Sequence, residues 1–268
     1  MNAVDASKEK FEILICPDCR GELNKIELEK ETIGLCCSDC ELIYPVKDGI
    51  PIVLAKEARN YDLEYPLIKK IEKRLSNGSF ASSEYIEKTL NLIVPKKETS
   101  SWEWEDERYW SNKYAFEIRK KMEKNWNDRI WQRESLVEEL TNRMKLRGKT
   151  VLDVGCGEGQ NFRILLSKYC DQDTLYIGTD ISFTALKLNR TRNKHRNSLF
   201  VLCSADYELP FEDHTVDVLC YFGILHHTKN KSDNIHKDKR VLRKNGCVIL
   251  SESLDRPELR QFLPMLTY

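Results

Sequence analysis

Apolar and polar positions along the 268-residue chain change their period in blocks, and each block predicts a different kind of element. Between Phe11 and Leu54, short apolar runs (Ile13 to Ile15, Ile33 to Leu35, Ile50 to Leu54) alternate with turn residues, which predicts a small strand-rich module. From Ala55 to about Lys149 the chain turns charged. Leu67, Ile68, Ile71 and Leu75 fall at helical spacing, a break is expected at Ser76-Asn77-Gly78-Ser79, and Trp131, Leu136, Val137 and Leu140 form a second periodic stretch. From Thr150 onward strands are expected near Val151 to Val154, Leu175 to Thr179, Leu199 to Cys203, Val216 to Tyr221 and Cys247 to Ser251. Helices are expected at about Gln160 to Tyr169, Phe183 to Lys194 and Ser232 to Leu242. Such alternation predicts a parallel sheet covered on both faces.

Two features carry chemistry. The first is Val151-Leu152-Asp153-Val154-Gly155-Cys156-Gly157-Glu158-Gly159, a buried strand that breaks into a glycine turn where backbone N–H groups can approach a ligand. The next strand ends in Gly178-Thr179-Asp180, where folds of this kind grip a ribose hydroxyl pair; a surface Asp capping the helix that follows Ser182 is the plainer alternative. A dinucleotide site wants its third glycine where Gln160 stands, so the GxGxG spacing argues against that cofactor. The second feature is the pair Cys16-Pro17-Asp18-Cys19 and Cys37-Ser38-Asp39-Cys40. Each CxxC knuckle places two thiolates on one metal, and together Cys16, Cys19, Cys37 and Cys40 complete a closed tetrahedron, which predicts a structural zinc ion. Cys36 competes with Cys37, but Cys37 has the two-residue gap to Cys40. No thioredoxin-like pattern surrounds either pair, which argues against a redox role.

With Asp153 two residues before the first glycine, the turn resembles motif I of the class I S-adenosylmethionine-dependent methyltransferases. The resemblance continues in register through Ser204-Ala205-Asp206, Leu209-Pro210-Phe211, Leu225-His226-His227 and Val241-Leu242-Arg243-Lys244-Asn245-Gly246, with Asn245 where the family has proline. It is closest in flavour to the group that includes ubiquinone and menaquinone biosynthesis methyltransferases. It implies that Asp153, Gly155, Cys156, Gly157 and Gly159 cradle the methionine end of S-adenosylmethionine. Asp180 and Ile181 would then take the ribose and one adenine face, and Ala205 and Asp206 the adenine edge. His226 or His227 is the candidate general base where the acceptor must lose a proton, though paired histidines suit pocket walls equally. The Asn/Asp-Pro-Pro-Tyr element of amino-directed methyltransferases and the Pro-Cys nucleophile of cytosine-directed ones are absent. The stretch Tyr44-Pro45-Val46-Lys47-Asp48-Gly49-Ile50-Pro51 resembles the zinc-ribbon activator subunit of tRNA, ribosomal and release-factor methyltransferases. That likeness implies docking on a methyltransferase sheet within one chain.

Composition adds limits. Lys plus Arg and Asp plus Glu both number 43, so net charge names no polyanionic partner; the basic run Lys187 to Arg196, lacking interleaved aromatics, is read as a solvated helix face. The ten cysteines suit a metal site plus buried thiols rather than disulfides. Met1 to Lys10 is polar and no apolar stretch is long enough to span a bilayer, so a soluble, cytoplasmic protein is expected. All five tryptophans fall between Trp102 and Trp131, as helix packing or a pocket roof. The sequence reaches only 16 residues beyond Glu252, at the expected end of the fifth strand, short of the family's last two strands, so the expectation is either a truncated domain or an open sheet edge covered by a protein partner or by the N-terminal module. The expected architecture is α/β: a zinc ribbon at 1–56, a helical connector at 57–125 and a Rossmann-like, mostly parallel methyltransferase domain at 126–268. The expected activity is methyl transfer to a small-molecule or RNA acceptor, with a catalytically silent zinc-ribbon scaffold as the rival.

Overall fold

The computed structural model describes residues 9–75, 83–95, 146–164, 166–229 and 231–251. The Ser76 to Ser79 break, the tryptophan-rich segment, the periodic stretch through Leu140 and the chain after Ser251 lie outside the described residues. Two compact units result: the described residues of 1–99 with 201–213, and those of 100–200 with 214–268.

The first unit is built on an antiparallel sheet of β1 (Leu23–Leu28), β2 (Glu31–Cys37), β3 (Leu42–Lys47) and β4 (Ile50–Pro51), in that order. Positive φ at Glu29, Lys30, Asp48 and Gly49 closes the β1–β2 and β3–β4 hairpins by two-residue turns whose twist matches the strands. Strand β1 has no clean alternation because its pairing shifts register between Ile26 and Glu27, which is why periodicity did not predict it. The run Ile13 to Ile15, expected as a strand, is instead the end of a short 3-10 turn followed by isolated bridges from Leu14 to Phe211 and Ile15 to Glu22.

Helix α1 (Tyr61–Leu75) buries Ile68, Ile71 and Leu75 at the expected spacing, and α2 (Ser83–Leu92), within the stretch expected as a helical connector, buries Ile86. These side chains share one core with Ile26, Ile33 and Ile43 of the ribbon, so the first helices after the ribbon complete its hydrophobic interior. Thr89 fastens α2 to β3: its Oγ1 accepts from the Ile43 N–H at 2.9 Å and donates to the Tyr85 carbonyl at 2.6 Å. Beside this core, Arg59 is 2% exposed and paired with buried Glu64 at 2.6 Å. The segment 201–213 is strapped to the same unit by backbone bonds. Val53 donates to the Leu202 carbonyl at 2.8 Å, Ile15 to Pro210 at 3.1 Å and Glu212 to Ile13 at 3.0 Å.

The second unit carries a five-stranded sheet in the order β7-β6-β5-β8-β9, formed by β5 (Thr150–Val154), β6 (Leu175–Asp180), β7 (Ser198–Leu202), β8 (Val216–Phe222) and β9 (Leu242–Ser251). Strand β5 pairs in parallel with β6 and β8, and β8 with β9. Val151 to Val154 are buried throughout, as in a strand covered on both faces. Around the sheet lie α3 (Gln160–Ile164), α4 (Phe183–Arg192) and α5 (Lys231–Asp238). The helix expected from Gln160 to Tyr169 is α3 followed by a 3-10 turn at Leu166–Tyr169, and the one expected to Leu242 ends as a 3-10 turn at Lys239–Val241. Strand β9 begins five residues earlier than expected. Its pairing jumps from Val216–Leu242 to Val218–Cys247, so Arg243 to Gly246 bulge out, with Asn245 at φ 65°. No described helix is long and apolar enough to cross a membrane.

The two ion pairs Arg59–Glu64 and Arg20–Asp213 share a 2.6 Å length but not a setting: the second is nearly half exposed. Arg59→Ala, which leaves the Glu64 carboxylate buried without its cation, is expected to cost about 3–5 kcal/mol in urea unfolding of the full chain. Arg20→Ala should cost less than about 1 kcal/mol; equal costs would show that burial does not set the difference.

Candidate functional site

The glycine turn follows β5 directly. Gly155, Gly157 and Gly159 have φ of 67°, 52° and 77°. A Cβ on Gly155 would strike the Ile224 side chain, and one on Gly159 the Asn189 carboxamide, so neither position admits a larger residue without displacement. The turn is fastened to β6 twice: Cys156 N–H donates to the Thr179 carbonyl at 2.8 Å, and Gly157 N–H to Asp180 Oδ2 at 2.8 Å. The other Asp180 oxygen accepts from Ser182 N–H at 2.9 Å, and Ser182 caps α4 by accepting from Ala185 N–H at 3.2 Å. Asp180 is thus half-buried at the mouth of the turn, neither an idle surface acid nor the cap itself. Ile181 follows it, also half-buried.

Beneath the turn lies a polar cluster. Asp153 is fully buried; its Oδ2 accepts from the Tyr176 hydroxyl at 3.1 Å, while Oδ1 has no hydrogen-bond partner among the described residues. Burial, reinforced by the nearby Asp180 charge and opposed by the Tyr176 bond, pushes the Asp153 carboxyl up to about 7. Asn189, buried on α4, donates to Cys156 Sγ at 3.3 Å and to the Tyr176 hydroxyl at 3.5 Å, and its Oδ1 has no partner among the described residues. Burial raises the Cys156 thiol well above its ordinary value, which makes it an unreactive wall. Glu158 pairs with Arg192 across the same edge. Tyr176 and Asn189 were not anticipated. The signal for Asn189 was a polar residue in phase with buried Ala185 and Leu186 on one helix face.

The remaining expected residues come from two other loops. Ala205 and Asp206 form the turn after β7, with Asp206 N–H donating to Ser204 Oγ at 3.3 Å, in the segment that belongs to the first unit. His226 and His227 end the short 3-10 turn Leu225–His227 after β8, anchored by buried Leu225. Their rings are 4.0 Å apart, His226 half-buried and His227 exposed.

In the first unit the sulfurs of Cys16, Cys19, Cys37 and Cys40 all lie within 4.8 Å of one another. Tetrahedral zinc with bonds of ~2.3 Å requires sulfur separations of about 3.8 Å. Cys16–Cys40 at 3.8 Å and Cys19–Cys37 at 3.4 Å fit that geometry. Gly21 N–H donates to Cys19 Sγ at 3.3 Å and Cys40 N–H to Cys37 Sγ at 3.4 Å, the bonds that stabilise a thiolate knuckle. Burial pushes the Cys37 thiol up to about 12, so its thiolate depends on a bound cation. Cys36, on the opposite face of β2, packs against the ribbon's isoleucine core instead. None of the ten cysteines is in a disulfide.

Two family models match the chain. Residues 152–250 match the family described as Methyltransferase domain and residues 8–49 the family described as Trm112p-like protein. Over 54 residues the chain is 47% identical to a UPF0434 protein of Methylobacillus flagellatus, a match spanning 20% of this chain and 85% of that one. Among solved structures it is similar to a complex of the Haloferax volcanii Trm112 methyltransferase activator (23% identity, 48% of this chain, 55% of that chain, TM-score 0.40). It is likewise similar to an S-adenosylmethionine-dependent methyltransferase from Mesorhizobium loti (18% identity, 40% and 48% coverage, TM-score 0.36).

The raised Asp153 carboxyl sets a pH dependence. An unfolded Asp titrates near about 3.9, whereas folded Asp153 titrates at about 7. Between these values the native chain holds a proton that the unfolded chain has lost, so this group's contribution falls as pH rises through the window. Wild type should lose thermal stability relative to Asp153→Asn as pH rises from about 4 to about 7. A constant difference across that range would refute the buried-carboxyl reading.

Proposed function

We propose that the chain is a class I S-adenosylmethionine-dependent methyltransferase with a structural zinc ribbon, acting on a small-molecule or RNA acceptor. The observation that carries this reading is the glycine turn after β5, braced by Asp180 and lying within the methyltransferase-domain match. The residues fit the cofactor. The positive-φ glycines leave room for close backbone approach, and the half-buried Asp180 carboxylate at the mouth of the turn offers acceptors to a ligand held there. On this reading Asp153, Gly155, Cys156, Gly157 and Gly159 cradle the methionine end. Asp180 and Ile181 take the ribose and one adenine face, and Ala205 and Asp206 the adenine edge. S-adenosylmethionine supplies an already activated methyl group, so the protein's work is alignment of the acceptor and exclusion of water. His226 or His227 removes a proton where the acceptor requires it. Cys16, Cys19, Cys37 and Cys40 hold one zinc ion with no open coordination position, which makes the metal structural. Cysteines outside any disulfide suit a reducing, cytoplasmic setting. A protein partner would pair along β9, which ends the described sheet order.

The second reading is a scaffold or activator that works by protein contact. The strength of the ribbon's match to a short relative favours it.

Isothermal titration with S-adenosylmethionine separates the two. Saturable binding is expected, weakened at least about tenfold by Asp180→Ala, the scale of one lost charge-assisted hydrogen bond; no saturable heat from wild type would discard the enzyme reading. Elemental analysis should find one zinc per chain, lost on joint Cys37→Ser and Cys40→Ser substitution. Metal retained by that double variant would discard the ligand set. Transfer of radiolabelled methyl into fractionated extract identifies the acceptor class, and label in the RNA or small-molecule fraction is the expected result.

A further inference from the structure

Each knuckle of the cysteine cluster already supplies one N–H to sulfur, from Gly21 to Cys19 and from Cys40 to Cys37. Cys16 is different. The polar group the structure places against its Sγ from outside the cluster is the Tyr44 hydroxyl, at 3.2 Å. The same hydroxyl has Asp18 Oδ2 at 3.2 Å as a second acceptor for its single proton, and the other Asp18 oxygen accepts from Lys56 N–H at 3.0 Å. Tyr44 has no exposed surface, and the Arg59 guanidinium covers its ring at 4.4 Å from the centroid. Arg59 is itself fixed by the Ile43 carbonyl at 3.0 Å and by Glu64. A core phenol needs one hydrogen-bond partner; this one has two, and its ring is clamped so that the hydroxyl cannot leave either.

We propose that Tyr44 is a positioning residue for the metal, its hydroxyl donating to Cys16 Sγ when that sulfur is bound as a thiolate. A metal-bound thiolate has no proton to give, so in this contact only the phenol can be the donor. Asp18 then keeps the Lys56 N–H. Four thiolates around one divalent cation leave a net negative charge, and each donor aimed at a sulfur stabilises it and fixes the ligand's rotamer. Tyr44 thereby does for Cys16 what backbone N–H groups do for Cys19 and Cys37. The inference rests on the zinc reading of the cluster.

The test uses the full chain, with zinc affinity measured by competition against a chromophoric chelator and the cluster's electronic state read from the cobalt(II)-substituted protein. Tyr44→Phe keeps the ring under Arg59 and removes only the oxygen. It should weaken zinc binding about 10- to 100-fold, the range for loss of a supporting hydrogen bond around a metal ligand. It should also move the sulfur-to-cobalt charge-transfer band to longer wavelength, because a thiolate that loses a donor gives up charge more easily. Asp18→Asn removes the competing anion and frees the hydroxyl for sulfur, so it should hold or raise zinc affinity and move the band to shorter wavelength. General damage to the ribbon would lower affinity in both variants. Zinc binding by Tyr44→Phe within twofold of wild type, with an unmoved cobalt band, overturns the proposal. If Tyr44→Phe does not fold, an Asp18→Asn band that stays put or moves to longer wavelength overturns it. Wild type that binds neither metal overturns the zinc reading on which it rests.

Discussion

The hydrogen bond from the Gly157 amide to the Asp180 carboxylate is the constraint on which the second unit's chemistry depends. A glycine turn with three left-handed residues has no steric reason to keep one shape, because the freedom that lets it form also lets it relax. Asp180 removes that freedom by joining the turn of β5 to the end of β6, while its second oxygen orients the start of α4 through Ser182. Two carbonyl-directed bonds, from Cys156 to Thr179 and from Gly159 to Cys156, hold the rest. Burial raises the proton affinity of Asp153 below the turn, and the Asp180 charge adds to it.

The ribbon meets a different physical problem. Its strands are short and its sheet narrow, and such a unit buries too little apolar surface to fold on packing alone. Two supplements address this. The four clustered sulfurs provide a site for a cross-link at one end. At the other, α1 and α2 lay Ile68, Ile71, Leu75 and Ile86 against Ile26, Ile33 and Ile43. Between the two ends sits the buried pair Arg59–Glu64, with Arg59 stacked on Tyr44. Its role in stability is asymmetric: the pair together contributes little over apolar residues, yet either partner alone would be costly. The backbone bonds from Ile15, Val53 and Glu212 extend this unit to the 201–213 segment, which carries Ala205 and Asp206.

Much of both units was legible in the residues. The strands after Thr150 are continuous apolar runs ended by glycine or acid, and such runs can hardly be anything but buried parallel strands. Leu67 to Leu75 repeats at helical spacing, and α1 follows it. What escaped notice escaped for identifiable reasons. Strand β1 contains a register shift that spoils its alternation. The Arg243 to Gly246 bulge is set by which residues of β8 it must face, a matter of pairing between segments distant in sequence. Asn189 and Tyr176 look like ordinary helix and strand residues until the fold sets them beneath the turn.

By itself, the sequence determined where glycine had to stand, which cysteines share a knuckle and which runs must be buried, because these follow from local sterics, short-range ligand spacing and period. Only the tertiary structure decided that Asp180 would brace Gly157, that one oxygen of Asp153 would be left without a partner, that Cys36 would face the isoleucine core and Cys37 the sulfur cluster, and that Tyr44 would touch Cys16 beneath Arg59. Those outcomes depend on distances and directions between residues far apart in the chain, and they are settled when the cores pack and each buried polar group must find, or go without, a partner.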